Sequence, residues 1–177
     1  MGIWSTSEMR TASGRRWKGF ATGLALFLAG ALLPVFSSFA AGQEPPKPAA
    51  KDKCPVCGMF VAKYPDWIMA VSFKDGSHAF FDGAKDLFKY LLDMKRYDPR
   101  RKAEDIRAVF VKDYYRLSWV RAQDAWYVIG SDVYGPMGRE LIPMEKEADA
   151  REFLKDHRGT GILRFGGVTK EVLRTLD

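Results

Sequence analysis

Hydrophobic and polar positions along the first half of the chain predict two strands followed by a helix. Residues 67–73 and 78–81 are rich in β-branched and aromatic side chains, and an Asp-Gly turn at 75–76 separates them. Apolar residues then recur with helical spacing over residues 84–94, and Asp82 is placed to cap that helix. This half of the chain therefore predicts a strand-turn-strand-helix unit.

The same order of elements recurs further along the chain. Strands are predicted at residues 106–112, 125–129 and 162–165, a helix ends near residue 156, and Thr169 is placed to cap a final helix. The two halves share the order of their elements but not their residues. The pattern predicts an α+β fold, as a single small domain of two ββα-like units with mostly antiparallel strands.

The N-terminal part of the chain has the pattern of an export signal. Basic residues precede an uncharged, apolar run over residues 19–42, and residues 38–40 (Ser-Phe-Ala) fit a small-x-small cleavage site. The run is also close to the length of a spanning helix, so residues 1–40 are predicted to be a signal peptide or a signal anchor. A proline-rich linker is predicted at 41–52, and the folded domain at 53–177.

The net charge of the chain shrinks once the export segment is set aside. The full chain has 28 Lys and Arg against 22 Asp and Glu, a net charge of +6, and residues 1–40 hold four of the basic residues and one acid. The remainder therefore has 24 basic and 21 acidic residues, a net charge of +3. Nucleic-acid binding is not expected, because it needs a clustered basic face, and the sequence has no phosphate-binding glycine motif.

Four sulfur-bearing residues lie in predicted loops beside glycine and proline. Cys54, Cys57 and Met59 belong to one short segment, and Met137 lies in the predicted tight loop 134–138. Thiolates and thioethers are the soft ligands that favour Cu(I) among biological metals. Cys57 with Met59 or Met137 would be sufficient for a Cu(I) site, and Cys54 offers a second thiol.

The pair Cys54 and Cys57 also allows interpretations without copper. A thioredoxin-like pair should follow a strand and begin a helix, and neither is predicted here. A zinc site would need a second Cys-x-x-Cys or a histidine pair. A disulfide would close a very short loop and add little stability. An organomercurial-type lyase would need a third acid or thiol beside the pair, and exposed aromatic residues could instead make the domain a partner-docking module. The main alternative is a periplasmic thiol-disulfide oxidoreductase.

Four separated motifs resemble the NosL family of nitrous oxide reductase accessory proteins. They are Cys-Pro-Val-Cys-Gly-Met at 54–59, Tyr-Pro-x-Trp at 64–67, Phe-Phe-Asp-Gly-x-Lys-Asp at 80–86 and Gly-Pro-Met-Gly at 135–138. The resemblance extends over about residues 53–177 and implies a ββα arrangement similar to that of organomercurial lyases. It also implies a periplasmic Cu(I) chaperone, not an enzyme, that delivers copper for nitrous oxide reductase assembly with an ABC-type transporter and its periplasmic subunit.

The resemblance also implies a set of copper ligands. Cys57 corresponds to the family's metal-binding cysteine and Met137 to its loop methionine, while Met59 belongs to the same motif as Cys57. The predicted copper site therefore comprises Cys57, Met137, Met59 and Cys54, with the part played by Cys54 left open between ligand and disulfide partner. Many members are lipoproteins, whereas no cysteine directly follows the apolar run here, so any membrane association is expected through residues 1–40 themselves.

Overall fold

The computed structural model of the chain describes residues 44–177. The predicted export segment at 1–40 and the first residues of the predicted linker lie outside the described residues. Within residues 44–177, no helix is long and apolar enough to cross a membrane. The proline-rich segment packs against the domain from its first described residues: Pro45 is buried, and Glu44 and Pro46 line a cavity with residues of the sheet.

The larger of the sheets is built from four strands. They are β1 (Met69–Phe73), β2 (His78–Phe81), β3 (Ile106–Lys112) and β4 (Trp119–Arg121). Their order is β2-β1-β3-β4, and every pair is antiparallel. All five residues of β1 are buried, so both faces of this central strand are covered.

A helix follows the first hairpin and packs on this sheet. Helix α1 covers Ala84–Leu92, and the short helix α2 follows at Met94–Tyr97. Leu87 and Phe88 of α1 are buried in the main hydrophobic core together with the side chains of β1. Because β2 leads directly into α1, the sheet fixes where the N-terminal end of that helix lies.

The second half of the chain forms a smaller sheet and a short hairpin. Its elements are β5 (Trp126–Ile129), β6 (Tyr134–Gly135), β7 (Gly138–Arg139), β8 (Ile142–Met144), α3 (Glu147–Asp156) and β9 (Gly161–Arg164). Strands β8, β5 and β9 make an antiparallel sheet in that order, and β6 pairs with β7. A second, smaller core lies between this sheet and α3; it contains Val128, Ile142, Met144, Ala150 and Phe153. Helix α4 (Lys170–Arg174) follows.

The predicted α+β class is confirmed, since the described strands pair in antiparallel order and two strand-strand-helix units, β1-β2-α1 and β5-β8-α3, are present. The predicted cap is also found: the Thr169 hydroxyl accepts a hydrogen bond from the Val172 N–H at 3.4 Å. The first strand begins later than predicted, because Pro65–Trp67 forms a 3-10 turn. The fixed φ of proline favours such a turn over an extended start.

Candidate metal centre

The segment that carries both cysteines is a tight loop closed by its own backbone. The Cys54 N–H donates to the Met59 carbonyl and the Gly58 N–H donates to the Cys54 carbonyl, each at 2.9 Å. Gly58 has a φ of +79°, in the left-handed region that glycine adopts without a steric cost. Lys53 and Phe60 pair on either side of the loop as an antiparallel bridge. The loop therefore holds the two thiols in a defined relation to each other.

The loop faces the N-terminal end of α1, where two aspartates meet the thiols. The Cys57 Sγ lies 3.2 Å from Asp82 Oδ1, and the Cys54 Sγ lies 3.4 Å from Asp86 Oδ2. One ligand atom from each of the four residues lies within 4.8 Å of the other three. Asp82 precedes Gly83, the N-cap residue, and Asp86 lies in the first turn of α1, where the N-terminal end of a helix favours negative charge. Two thiols and two carboxylates thus form one cluster.

The prediction that Asp82 caps α1 is wrong. The N-cap residue is Gly83, which makes no side-chain cap hydrogen bond, and the Asp82 carboxylate accepts the Cys57 thiol instead. The buried Glu140 carboxylate binds the helix end instead. It accepts the Lys85 N–H, and its Oε2 and Oε1 lie 3.1 and 3.2 Å from the Lys85 nitrogen. A Cβ atom at residue 83 would lie only 2.4 Å from Glu140 Oε2, so glycine makes room for this distant carboxylate.

Burial determines the protonation of the two cysteines in the cluster and of the neighbouring Glu140. Burial raises the pKa of Cys57 to about 12, and the neighbouring Asp86 and Asp82 side chains add to the increase. Burial, with the nearby Asp86 charge, raises the pKa of Cys54 well above its usual range. Burial also raises the pKa of Glu140 to about 8. Without metal, both cysteines are therefore neutral thiols that donate to carboxylates, and a metal must displace their protons.

The structure places the two predicted methionines differently. Met59 is half-buried, and its carbonyl closes the cysteine loop. Met137 lies at the tip of the β6–β7 hairpin, is 42% exposed, and accepts a hydrogen bond from Lys85 Nζ at its carbonyl. It lines a cleft of about 400 Å³ together with Asp86. The geometry brings Cys54 and Cys57 together with Asp86, and Met137 lines a cleft with that same aspartate, while metal ligation by the four predicted residues stays a prediction.

Sequence reasoning missed Asp82 and Asp86 as members of the cluster. The available signal was their spacing of four at a helix start, in the motif at residues 80–86. In the sequence, a zinc site lacks further ligands beside the cysteine pair. The two aspartates supply them, because two thiols and two carboxylates give the four donors of a tetrahedral zinc site. They likewise supply the acid that an organomercurial-type lyase would need.

The cluster contains soft thiol donors and hard carboxylate donors, and the two kinds of donor suit different metals. Thiolates suit Cu(I), whereas carboxylates suit harder cations. For Cu(I), Cys54 and Cys57 would be the metal-binding groups of the cluster. Before copper binds, Asp82 and Asp86 would orient the thiols by accepting their S–H hydrogen bonds. The same carboxylates would be close enough to accept the protons that copper displaces.

Comparisons with known proteins all lead to one family. A sequence model described as NosL matches residues 45–173. The copper-binding lipoprotein NosL of Stutzerimonas stutzeri is 28% identical over 131 residues; the match covers 70% of this chain and 65% of the relative, so the chain spans about two-thirds of the length of that curated relative. The crystal structure of the copper chaperone NosL from Shewanella denitrificans superposes with a TM-score of 0.57 at 26% identity, covering 72% of this chain and 99% of that one.

Proposed function

Because the chain belongs to the NosL family, we propose that it is a copper chaperone that carries Cu(I) on the Cys54–Cys57 pair and Met137. The observation that carries the proposal is the convergence of both thiols with Asp82 and Asp86, with one ligand atom of each within 4.8 Å of the others. Copper is named in the relatives' descriptions, and the soft thiol pair of this chain suits that metal in its reduced state.

The mechanism follows from the different strengths of the sulfur ligands. Each cysteine exchanges its S–H proton for copper, and the resulting thiolate is a soft, anionic ligand that holds the metal tightly. The Met137 thioether is neutral and weaker, and its exposed position lets an incoming ligand displace it first. The metal is thus retained against solvent and still available to a partner.

We further propose that the chain acts in the periplasm and supplies copper for the metal centres of nitrous oxide reductase. The export pattern of residues 1–40 supports the location, and the motif resemblance supports the role. The expected partners are an ABC-type transporter and its periplasmic subunit.

Delivery is tested by complementation of a denitrifying strain that lacks its own NosL. We expect the chain to restore the copper content and activity of nitrous oxide reductase, and Cys57→Ser to fail at equal protein levels. Lys155→Gln, on the exposed side of α3, is the matched control and should complement fully. Complementation by Cys57→Ser would refute the proposed site.

Nothing in the thiol environment favours the oxidoreductase alternative. Reactive cysteines of disulfide oxidoreductases have a lowered pKa, whereas burial raises the pKa of both cysteines here. We therefore expect no catalysis of insulin reduction. The lyase alternative is tested with an organomercurial compound, whose hydrocarbon the chain is not expected to release.

A further inference from the structure

Lys85 is a buried lysine between the two aspartates of the metal cluster. Its exposed fraction is 4%, although lysine is rarely buried without partners. It lies in the first turn of α1, one residue before Asp86. A buried ammonium group needs hydrogen-bond acceptors to offset its lost hydration. The acceptors of Lys85 therefore indicate which parts of the chain its side chain connects.

The contacts of Lys85 lead to the hairpin that carries Met137. Its Nζ donates to the Met137 carbonyl at 2.9 Å and to the Leu176 carbonyl at 3.1 Å, and Asp177 Oδ1 lies 3.7 Å away. Its backbone N–H donates to the Glu140 carboxylate, directly after β7. One residue of α1 thus binds the hairpin at its tip and again just beyond its second strand.

The two short strands of the hairpin do little by themselves to fix the position of its tip. Strands β6 and β7 have two residues each, and isolated two-stranded hairpins are marginally stable in water. Tyr134 and Met137 are among the exposed large hydrophobic residues, at 61% and 42%. Packing therefore contributes little at Met137, and within residues 44–177 the Lys85 hydrogen bond joins the tip to α1.

We propose that Lys85 is a positioning residue, which ties the Met137 carbonyl to the first turn of α1, where Asp86 lies, and so sets the position of the methionine relative to the thiol pair. This inference rests on the proposed function, in which Met137 binds copper. Lys85 itself donates no electron pair to the metal. Its effect on copper acts through Met137 alone.

A double-mutant cycle in the full, reduced chain tests this dependence with Cu(I) and a chromogenic chelator. Lys85→Leu removes the donors without adding a thioether that could itself bind Cu(I), and we expect about 10-fold weaker Cu(I) binding, the low end for a residue that supports a ligand. Lys89→Leu is the matched control, because Lys89 binds Asp177 and makes no hydrogen bond to Met137. In a Met137→Ile background, Lys85→Leu should not weaken Cu(I) binding further.

The outcomes separate this inference from the proposed function. If Met137→Ile leaves the Cu(I) affinity unchanged, the copper role of Met137 is wrong and the inference fails with it. If Met137→Ile weakens Cu(I) binding and Lys85→Leu weakens it by a further, independent factor in the same background, Lys85 acts elsewhere and only the inference is overturned.

A spectroscopic measurement keeps the test independent of affinity. In selenomethionine-labelled chain, X-ray absorption at the copper edge should show a copper–selenium contact that Met137→Ile abolishes and Lys85→Leu reduces. Lys85→Gln, which is shorter and cannot span the same distance, replaces Lys85→Leu if that variant does not fold. An undiminished copper–selenium contact in the Lys85 variant would overturn the inference.

Discussion

Single residues decide how copper must compete with protons in this site. Cys54 and Cys57 are buried thiols hydrogen-bonded to carboxylates, and the pKa of Cys57 is raised to about 12. A raised thiol pKa means that the neutral form dominates at physiological pH. Each thiol that binds copper must therefore release a proton.

Copper affinity should consequently rise with pH. Between about pH 6 and pH 9, below the pKa of both thiols, the apparent affinity should increase about tenfold per pH unit for each thiol that binds. With both thiols bound, the logarithm of the affinity should rise with a slope of about 2. Chelator competition at several pH values measures this slope. Cys54→Ser should lower it to about 1, and a slope near zero in the unaltered chain would contradict thiolate binding.

The residues of the site were only partly predictable. Cys54 and Cys57 are visible in the sequence because soft ligands at short spacing are rare, but Asp82 looked like a helix cap, the usual reason for an aspartate there. Its actual partner, Cys57, is 25 residues away. No local pattern indicates which distant loop will face a helix end, so the carboxylate half of the cluster needed the structure.

Among the elements, the N-terminal end of α1 organises the site. It carries Asp82 and Asp86, and Glu140 from the far side of the β6–β7 hairpin accepts the Lys85 N–H there. The close approach of Glu140 requires that residue 83 has no side chain.

Gly83→Ala should destabilise the fold. The added Cβ would meet the buried Glu140 carboxylate, which could move aside only by giving up its hydrogen bond to the Lys85 N–H. Overpacking of this kind costs about 1–3 kcal/mol in the free energy of unfolding. Gly166→Ala is the matched control, because a Cβ there meets no atom within 4 Å, and its effect should stay within about 0.5 kcal/mol. Equal unfolding free energies in urea for the two variants would refute the steric argument.

The buried Glu140 should make stability depend on pH. Its pKa is raised from 4.5 to about 8, so the folded chain keeps a proton that the unfolded chain releases. The stability it contributes is fully present below about pH 4.5 and is lost as pH rises toward 8, by about 1.4 kcal/mol per pH unit. Glu140→Gln cannot ionise and should therefore gain stability relative to the unaltered chain between pH 5 and pH 8. Urea denaturation at both pH values measures this, and a constant difference would contradict it.

Elements with a strong hydrophobic period were predictable and short ones were not. Strands β1, β2 and β3 are four to seven residues long and rich in β-branched and aromatic side chains, and their predicted positions are confirmed to within two residues. Strands β6 and β7 have two residues each, too few for alternation to show, and the sequence predicted only a tight loop there.

For the whole molecule, the cluster joins parts of the chain that are far apart in sequence. The cysteine loop precedes β1, and the aspartates follow β2, so a bound metal would connect the two ends of the first hairpin. Because this arrangement exists only in the folded chain, metal binding should add to its stability.

Metal should therefore raise the melting temperature of the reduced chain. At a free metal concentration 100 times the dissociation constant, the gain is about 2.7 kcal/mol, which corresponds to an increase of several degrees. Thermal melts with Cu(I), and separately with Zn(II), measure the increase and show which metal the mixed donor set prefers. The double variant Cys54→Ser, Cys57→Ser should show no increase, and a shift that persists there would place the metal elsewhere.

The most direct measurement is a competition titration of the reduced full chain with Cu(I) and a chromogenic chelator. We expect one copper per chain, bound tightly enough to withdraw it from the chelator. Cys57→Ser should weaken binding more than about 100-fold, beyond the effect typical of a residue that only supports a ligand. Unchanged competition by Cys57→Ser, or none by the unaltered chain, would contradict the assignment of this cluster as the copper site.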